Sequence, residues 1–154
     1  MGADMAMPSA VESNDILCTH RMAMPCSDGF TGDKSMNFGL NEDIQMTPNP
    51  MNYSFIIRYL TRYQNQFALE ELIHNVTMKP AVRFGIEKRG SLQVGNYADI
   101  VVFDREALHS YDRDANMSQY PEGIDYVLVN GVVTIDHKRH TQAAAGRMLR
   151  KNQQ

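Results

Sequence analysis

The chain has 154 residues, of which 43% are apolar and 21% charged, with a net charge of −3. These values suit one globular domain or two small ones, and the interspersed charges give no electrostatic case for binding nucleic acid or an anionic membrane. No apolar run approaches the roughly 18 residues of a transmembrane helix, and no secretory signal is recognisable. Cys18 and Cys26 do not suggest a disulfide framework, so a reduced, cytoplasmic protein is expected.

The N-terminal third shows little periodicity. Residues 1–14 are small and polar and are predicted to be a disordered tail. One short apolar run, Met22–Cys26, is predicted to be a strand, and residues 29–50 are predicted to be a long loop because they are rich in Gly, Asn, Asp, Thr and Pro. Because a single strand cannot form a sheet, this run is expected to pair with strands that the chain lacks, or to remain unpaired.

Three helices are predicted after the loop. Apolar residues recur at helical spacing from about Asn52 to Gln64, which predicts the first helix. A second helix is predicted by an apolar stripe formed by Leu69, Leu72, Ile73 and Val76. A third, short helix fits residues 79–84, because Pro80 lies in its first turn, where a missing N–H costs little, and Gly85 is placed to end it.

From Gly90 onward apolar residues recur at every second position, which is typical of strands. Residues 98–104 are predicted to be a short strand preceded by a turn at Gly95-Asn96, and residues 105–120 form a polar excursion. Asn130-Gly131 lies between two β-branched runs and predicts a type I′ hairpin, because both turn positions need positive φ. Residues 143–152 are predicted to be a short helix or tail.

Asp28 is the main candidate for catalysis. It follows the predicted strand directly, and in barrels of alternating strands and helices the catalytic groups collect at the carboxyl ends of strands. An aspartate there can bind a metal or act as a general base. Ser27-Asp28-Gly29 is also a common turn sequence, so both interpretations remain open.

Histidine and cysteine offer weaker candidates. A catalytic zinc site needs about three protein ligands and an open position, yet no histidine pair shows His-x-His or His-x-x-x-His spacing. The chain has five histidines: His20, His74, His109, His137 and His140. The last two, His137 and His140, are expected to lie on a solvated surface. Cys26, near Asp28, is expected to be a buried strand cysteine, with a role as ligand or nucleophile as the alternative.

Five segments in order resemble one known family. They are Met24–Gly29, Leu69–Gly85, Arg89-Gly90 with Gly95–Asp104, Gln119–Gly131 and Gly146–Arg150. Together they are similar to the carboxy-terminal part of the N-acyl-D-amino-acid deacylases (D-aminoacylases) of the amidohydrolase superfamily. The third segment is typical of many amidohydrolases, whereas Gln119–Ile124 and the terminal Gly146–Arg150 indicate the D-aminoacylase branch.

The resemblance implies an α/β fold: the last strand and closing helices of a (β/α)8 barrel, plus the carboxy-terminal part of a small β-sandwich. The implied division is a tail at 1–14, a partial barrel at 15–88 and a sandwich segment with its tail at 89–151. The implied activity is zinc-dependent cleavage of the amide of N-acyl-D-amino acids, with Asp28 as both metal ligand and catalytic residue. Asp28 would accept a proton from the metal-bound water and pass it to the leaving amine.

The resemblance also predicts that the chain is inactive alone, because the histidine and cysteine ligands of the family lie on earlier strands. Two departures from the family, at Asn49–Met51 and Ser54, put the substrate-facing loop in question. One alternative is a non-catalytic binding or assembly module that self-associates or docks on a full-length paralogue. Another is a complete small enzyme in which His20 and one of His74, His109 or His140 converge on Asp28.

Overall fold

The computed structural model describes residues 15–27, 29, 51–111 and 120–149. The predicted tail at 1–14 and most of the predicted loop at 29–50 lie outside these ranges, and so does Asp28. Within them, helices come first along the chain and an antiparallel sheet follows. No helix in the described ranges is both long and apolar enough to cross a membrane.

The first described element is a short helix, for which the sequence analysis made no prediction. Residues 15–19 form this helix, α1, in which Thr19 Oγ1 donates to the carbonyl of Asp15 at 2.7 Å. The strand predicted at Met22–Cys26 is absent: residues 21–22 form a turn and 23–27 have no regular structure. A strand requires a hydrogen-bonded neighbour, and among the described residues none pairs with this run.

The three helices predicted after the loop are confirmed. They are α2 (Met51–Tyr63), α3 (Leu69–Val76) and α4 (Met78–Phe84). Gly85 ends α4 as predicted, with φ of 66°, and its N–H reaches the carbonyls of Ala81 and Val82. This left-handed ending favours glycine because a Cβ would be strained there.

The helices enclose the hydrophobic core of the described residues. The α2 stripe supplies Ile57, Tyr59, Leu60 and Tyr63, and α3 supplies Leu72, which is 1% exposed. Partly buried residues pack around this core: Cys18, Phe67, Ile73, Val76, Leu108 and Ile124. The last two lie at or beside the sheet, so they connect it to the helices.

The sheet has four antiparallel strands in sequence order. They are β1 (Ile100–Phe103), β2 (Ile124–Val129), β3 (Val132–Asp136) and β4 (Arg139–His140). The predicted hairpin is confirmed, with φ of 51° at Asn130 and 82° at Gly131. A second tight turn lies at His137-Lys138, with φ of 44° and 69° although neither residue is a glycine.

The described strands form one sheet, and every residue of β2 is half-buried. A second sheet that would complete the sandwich expected from the resemblance is not among the described residues. Residues 141–149 run on without helix or strand, so the tail interpretation of this segment holds over the described part.

Candidate active-site segment

The segment that leads to Asp28 is described up to Ser27, and Asp28 itself lies outside the described residues. Its predicted role as catalytic residue and metal ligand therefore stays a prediction. Ser27 Oγ accepts a hydrogen bond from the N–H of Gly29 at 3.0 Å. This is a local side-chain turn of the kind that serine favours, and it accounts for Ser27 without a nucleophilic role.

A three-residue contact, here called the Asp15 clamp, fastens α1 to the end of α2. Arg62 donates to the Asp15 carboxylate from Nε and Nη2, each at 2.9 Å. The hydroxyl of Tyr63 donates to Asp15 Oδ1 at 2.6 Å. Paired donation by a guanidinium combines charge with fixed geometry, and Tyr63 is buried in the core. The clamp therefore fixes the position of α1, the start of the segment that leads to Asp28, relative to α2.

The clamp changes the pKa of the Asp15 carboxyl and of the Tyr63 hydroxyl. The Arg62 guanidinium first, and the Tyr63 hydroxyl second, lower the pKa of Asp15 by donating to its charged form. Burial raises the pKa of Tyr63, and its hydrogen bond to the Asp15 carboxylate raises it further. At neutral pH the clamp thus consists of an ionised Asp15, a charged Arg62 and a neutral Tyr63.

Further contacts hold the same segment to the helices. Lys79 Nζ on α4 donates to the carbonyl of Arg21 at 2.6 Å and to Asn75 Oδ1 on α3 at 3.0 Å. Cys18 packs, half-buried, against the core. Residues 15–21 are therefore attached at three points, and only residues 22–27 separate these attachments from Asp28.

We expect Asp15→Asn to lower the free energy of unfolding at pH 7 by about 0.5–1 kcal/mol. The value is small because the Arg62 and Asp15 side chains are 44% and 40% exposed and water screens the pair. Since the pKa of Asp15 is lowered in the folded chain, the contribution is fully present above the ordinary aspartate pKa of 3.8 and is lost as pH falls through the pKa of the folded state. Urea titrations at pH 7 and pH 3 should therefore show a smaller difference between variant and parent at pH 3.

Glu106→Gln is the control for this experiment, because it neutralises an exposed carboxylate in the turn after β1. Its stability should follow that of the parent at both pH values. An Asp15→Asn deficit that is unchanged at pH 3 would contradict the ionic origin of the clamp.

The histidines lie on separate elements of the described structure. Among the described ranges, no three His, Cys, Asp or Glu side chains come together as a group that could hold a metal. All five histidines are exposed, which confirms the surface interpretation of His137 and His140. His20 Nδ1 accepts the N–H of Met22 at 3.2 Å. Convergence of histidines on Asp28 stays a prediction, because Asp28 is not described.

Cys26 is exposed, so its interpretation as a buried strand cysteine is wrong. The physical reason is the missing strand: without a neighbouring strand there is no sheet face in which this thiol could be covered. The exposure of Cys26 does not by itself support a role as metal ligand or nucleophile. Among the described residues no group of side chains that could hold a metal was found.

A second polar cluster, centred on Asn130, was missed at the sequence level. The Arg89 guanidinium donates to the Asp99 carboxylate and to Asn130 Oδ1. The Asn130 N–H donates to Asp99 Oδ1 at 2.8 Å, and Asn130 Nδ2 donates to the Ala145 carbonyl at 2.7 Å. The cluster thus joins the residue before β1, the hairpin turn and the C-terminal segment. The Asn-Gly pair indicated the turn, but no local signal indicated these partners.

The surroundings of the Asn130 cluster fit a structural role. The guanidinium carbons of Arg89 and Arg147 each lie 4.3 Å from the centre of the Tyr97 ring, an arrangement that stabilises a cation over an aromatic face. Burial raises the pKa of Asp99, but the Asn130 N–H and the Arg89 guanidinium outweigh it and the pKa is lowered. The polar groups of the cluster hydrogen-bond one another, which fits a role in holding the chain together.

Comparison with known proteins identifies the class. The sequence profile of the Amidohydrolase family matches residues 39–135, well over half of the chain, and the chain belongs to that family. It is 29% identical over 148 residues to N-acyl-D-glutamate deacylase of Alcaligenes xylosoxydans xylosoxydans, across 93% of this chain and 28% of that enzyme. The resemblance to the N-acyl-D-amino-acid deacylase branch is thereby confirmed.

Solved structures agree with the sequence comparison. The crystal structure of a D-aminoacylase matches with a TM-score of 0.63 and 32% identity, over 68% of this chain and 23% of that one. N-acyl-D-glutamate deacylase from Bordetella bronchiseptica, complexed with zinc and a phosphonate mimic of the tetrahedral intermediate, matches with a TM-score of 0.53 and 34% identity, over 65% and 21%. The chain thus spans about a quarter of the length of these relatives.

Proposed function

We propose that the chain contributes the carboxy-terminal part of a zinc-dependent hydrolase that cleaves the amide of N-acyl-D-amino acids. The observation that carries the proposal is the 29% identity to N-acyl-D-glutamate deacylase over 93% of the chain. That alignment leaves out 7% of 154 residues, about 11, so it includes Asp28, which has 27 residues before it.

In this proposal Asp28 is the proton carrier of the completed enzyme and one of its metal ligands. Its carboxylate takes a proton from the attacking water and delivers it to the nitrogen of the leaving amine, which is general base and then general acid catalysis. The α1 segment supports this role because the Asp15 clamp and the Lys79 contact hold the chain that precedes Asp28.

The chain by itself is proposed to be inactive. The described residues do not fit a zinc site, because no three suitable side chains come together among them. The remaining ligands are proposed to lie on polypeptide beyond this sequence, since the relatives are about four times longer.

A second candidate is a non-catalytic module derived from such an enzyme. It is favoured by apolar side chains that the described residues leave exposed around α1 and α4, which are Ile16, Leu17, Met22, Val82 and Phe84. Exposed apolar patches mark surfaces that bind other polypeptide. Both candidates need a partner, and they differ in whether Asp28 performs chemistry once that partner is present.

The test is amine release from a panel of N-acyl-D-amino acids in the presence of zinc. The chain alone is expected to release no more amine than its Asp28→Ala variant. A chimera in which the chain replaces the matched part of the Alcaligenes N-acyl-D-glutamate deacylase is expected to be active, and Asp28→Ala in it should lower the rate by roughly 10²–10⁴-fold, the usual contribution of a general acid–base group.

Asp104→Ala in the chimera is the matched control, because Asp104 also follows an apolar run, β1, and is exposed. A folded chimera that binds zinc but releases no amine would favour the non-catalytic module. Asp28-dependent release by the chain alone would overturn its proposed inactivity.

A further inference from the structure

The turn between β2 and β3 contains a side chain and a backbone nitrogen that can react with each other. Asn130-Gly131 is the one pair in the sequence in which glycine follows asparagine. The backbone nitrogen after an asparagine can attack its side-chain carbon Cγ, and glycine hinders this attack least because it has no Cβ. Asn130 is half-buried and Gly131 is exposed, so water reaches the pair.

Hydrogen bonds restrain both reacting groups. The Gly131 N–H donates to the Ala98 carbonyl at 2.9 Å. Asn130 Nδ2 donates to the Ala145 carbonyl at 2.7 Å. Attack requires that the first nitrogen lose its proton and that the second leave as ammonia, so both bonds must break. Arg89 acts in the opposite direction, because its guanidinium donates to Asn130 Oδ1 and stabilises the negative charge that attack places on this oxygen.

The Ala145 carbonyl belongs to residues 141–149, here called the guard segment, which contain no helix or strand. The hydrogen bond from Asn130 and the Arg147 guanidinium over the Tyr97 ring hold this segment to the rest of the chain. A segment held by exposed contacts of this kind opens locally at a small cost in free energy while the remaining structure stays folded. The restraint on Asn130 is therefore one that local opening removes.

We propose that Asn130 is a deamidation site that the guard segment protects, and that deamidation detaches this segment from the hairpin. When the segment opens, Nδ2 loses its carbonyl partner while Arg89 remains on Oδ1. The Gly131 nitrogen releases its proton to solvent and forms a bond to Cγ, and Nδ2 leaves as ammonia, which closes a cyclic imide. Water then opens the imide at either carbonyl and leaves aspartate or isoaspartate at position 130. This modification does not depend on the proposed activity.

The product opposes reattachment of the guard segment. The amide of Asn130 donates through Nδ2, whereas a carboxylate is an acceptor only. An oxygen therefore meets the Ala145 carbonyl oxygen where a hydrogen bond existed, and the two repel each other. The Arg89 guanidinium, which already pairs with Asp99, then lies between two carboxylates and keeps its contact with the hairpin. Release of the guard segment is thus a one-way event that leaves the hairpin in place.

The first test is the rate at which Asn130 converts at mildly alkaline pH, measured by peptide mapping with mass spectrometry. Conversion in the folded parent is expected to be slower than in the chain unfolded in urea. Arg147→Ala removes one attachment of the guard segment and should raise the folded-state rate roughly two- to fivefold, the effect of losing one exposed cation–aromatic contact. Arg105→Ala is the matched control, because it removes the same charge from the exposed turn after β1, and its rate should equal that of the parent. Asn96, which is followed by Tyr97, should stay unconverted in every sample.

Release of the guard segment is measured separately with Asn130→Asp, as cleavage by trypsin after Arg147 and as hydrogen exchange of residues 141–149. Both should be faster than in the parent, while circular dichroism shows the remaining fold retained. Asn75→Asp makes the same change on α3, away from the hairpin, and should leave cleavage after Arg147 unchanged. Parent chain aged until Asn130 has converted should show the same rapid cleavage, which checks the release without a substitution.

The proposal is overturned if Asn130 converts as fast in the folded parent as in urea, or if it does not convert in urea. Equal rates for Arg147→Ala and Arg105→Ala would contradict protection by the guard segment. Unchanged cleavage after Arg147 in the aged parent would contradict its release.

Discussion

Replacing Leu72 with alanine is expected to lower the free energy of unfolding by about 2–5 kcal/mol, the range for large-to-small changes in a packed core. Leu72 is the most buried large side chain among the described residues, at 1% exposure. It lies on α3 and packs into the cluster that α2 supplies. Truncation leaves a cavity there, because helices fixed by several other contacts close only partly around it.

The measurement is urea-induced unfolding followed by circular dichroism, with Leu92→Ala as the matched control. Leu92 is 82% exposed, so its truncation should change stability by less than about 0.5 kcal/mol. Equal effects of the two substitutions would show that the α2–α3 cluster is not the core that stabilises the chain.

Gly123→Ala is expected to lower the free energy of unfolding by roughly 2–5 kcal/mol, the sum of a left-handed backbone cost and overpacking. Gly123 has φ of 84°, and a Cβ there would lie 2.6 Å from the Ala107 carbonyl carbon and from the Leu108 nitrogen. Backbone atoms cannot move aside as a flexible side chain can. The substitution should also weaken the bond between the Asp104 N–H and the Gly123 carbonyl, now 2.9 Å.

Gly95→Ala separates the two costs. Gly95 has φ of 93°, but a Cβ there would meet nothing within 4 Å, so only the backbone cost of about 1–2 kcal/mol applies. The difference between the two variants in thermal or urea unfolding measures the close approach of residues 107–108. If Gly123→Ala were no worse than Gly95→Ala, the contact that connects β2 to Leu108 would not exist in solution.

The sequence alone predicted those elements whose structure depends on residues close together along the chain. The spacing of apolar residues predicted α2, α3 and α4, and Gly85 marked the end of α4 because a left-handed residue there favours glycine. Asn130-Gly131 predicted the β2–β3 hairpin for the same local reason. Ordered motifs also indicated the family, and they pointed to Asp28, whose role no described contact tests.

Contacts between distant residues were decided by the tertiary structure. The Asp15 clamp joins residues 47 and 48 positions apart, and the Asn130 cluster joins residues 41 and 15 positions apart. Single Asp, Arg, Tyr or Asn residues carry no local pattern that names such partners. The run Met22–Cys26 is unpaired in the described structure, which is one of the two outcomes expected of it. Apolar residues make a strand possible, but a strand forms only where a neighbouring strand accepts its backbone hydrogen bonds.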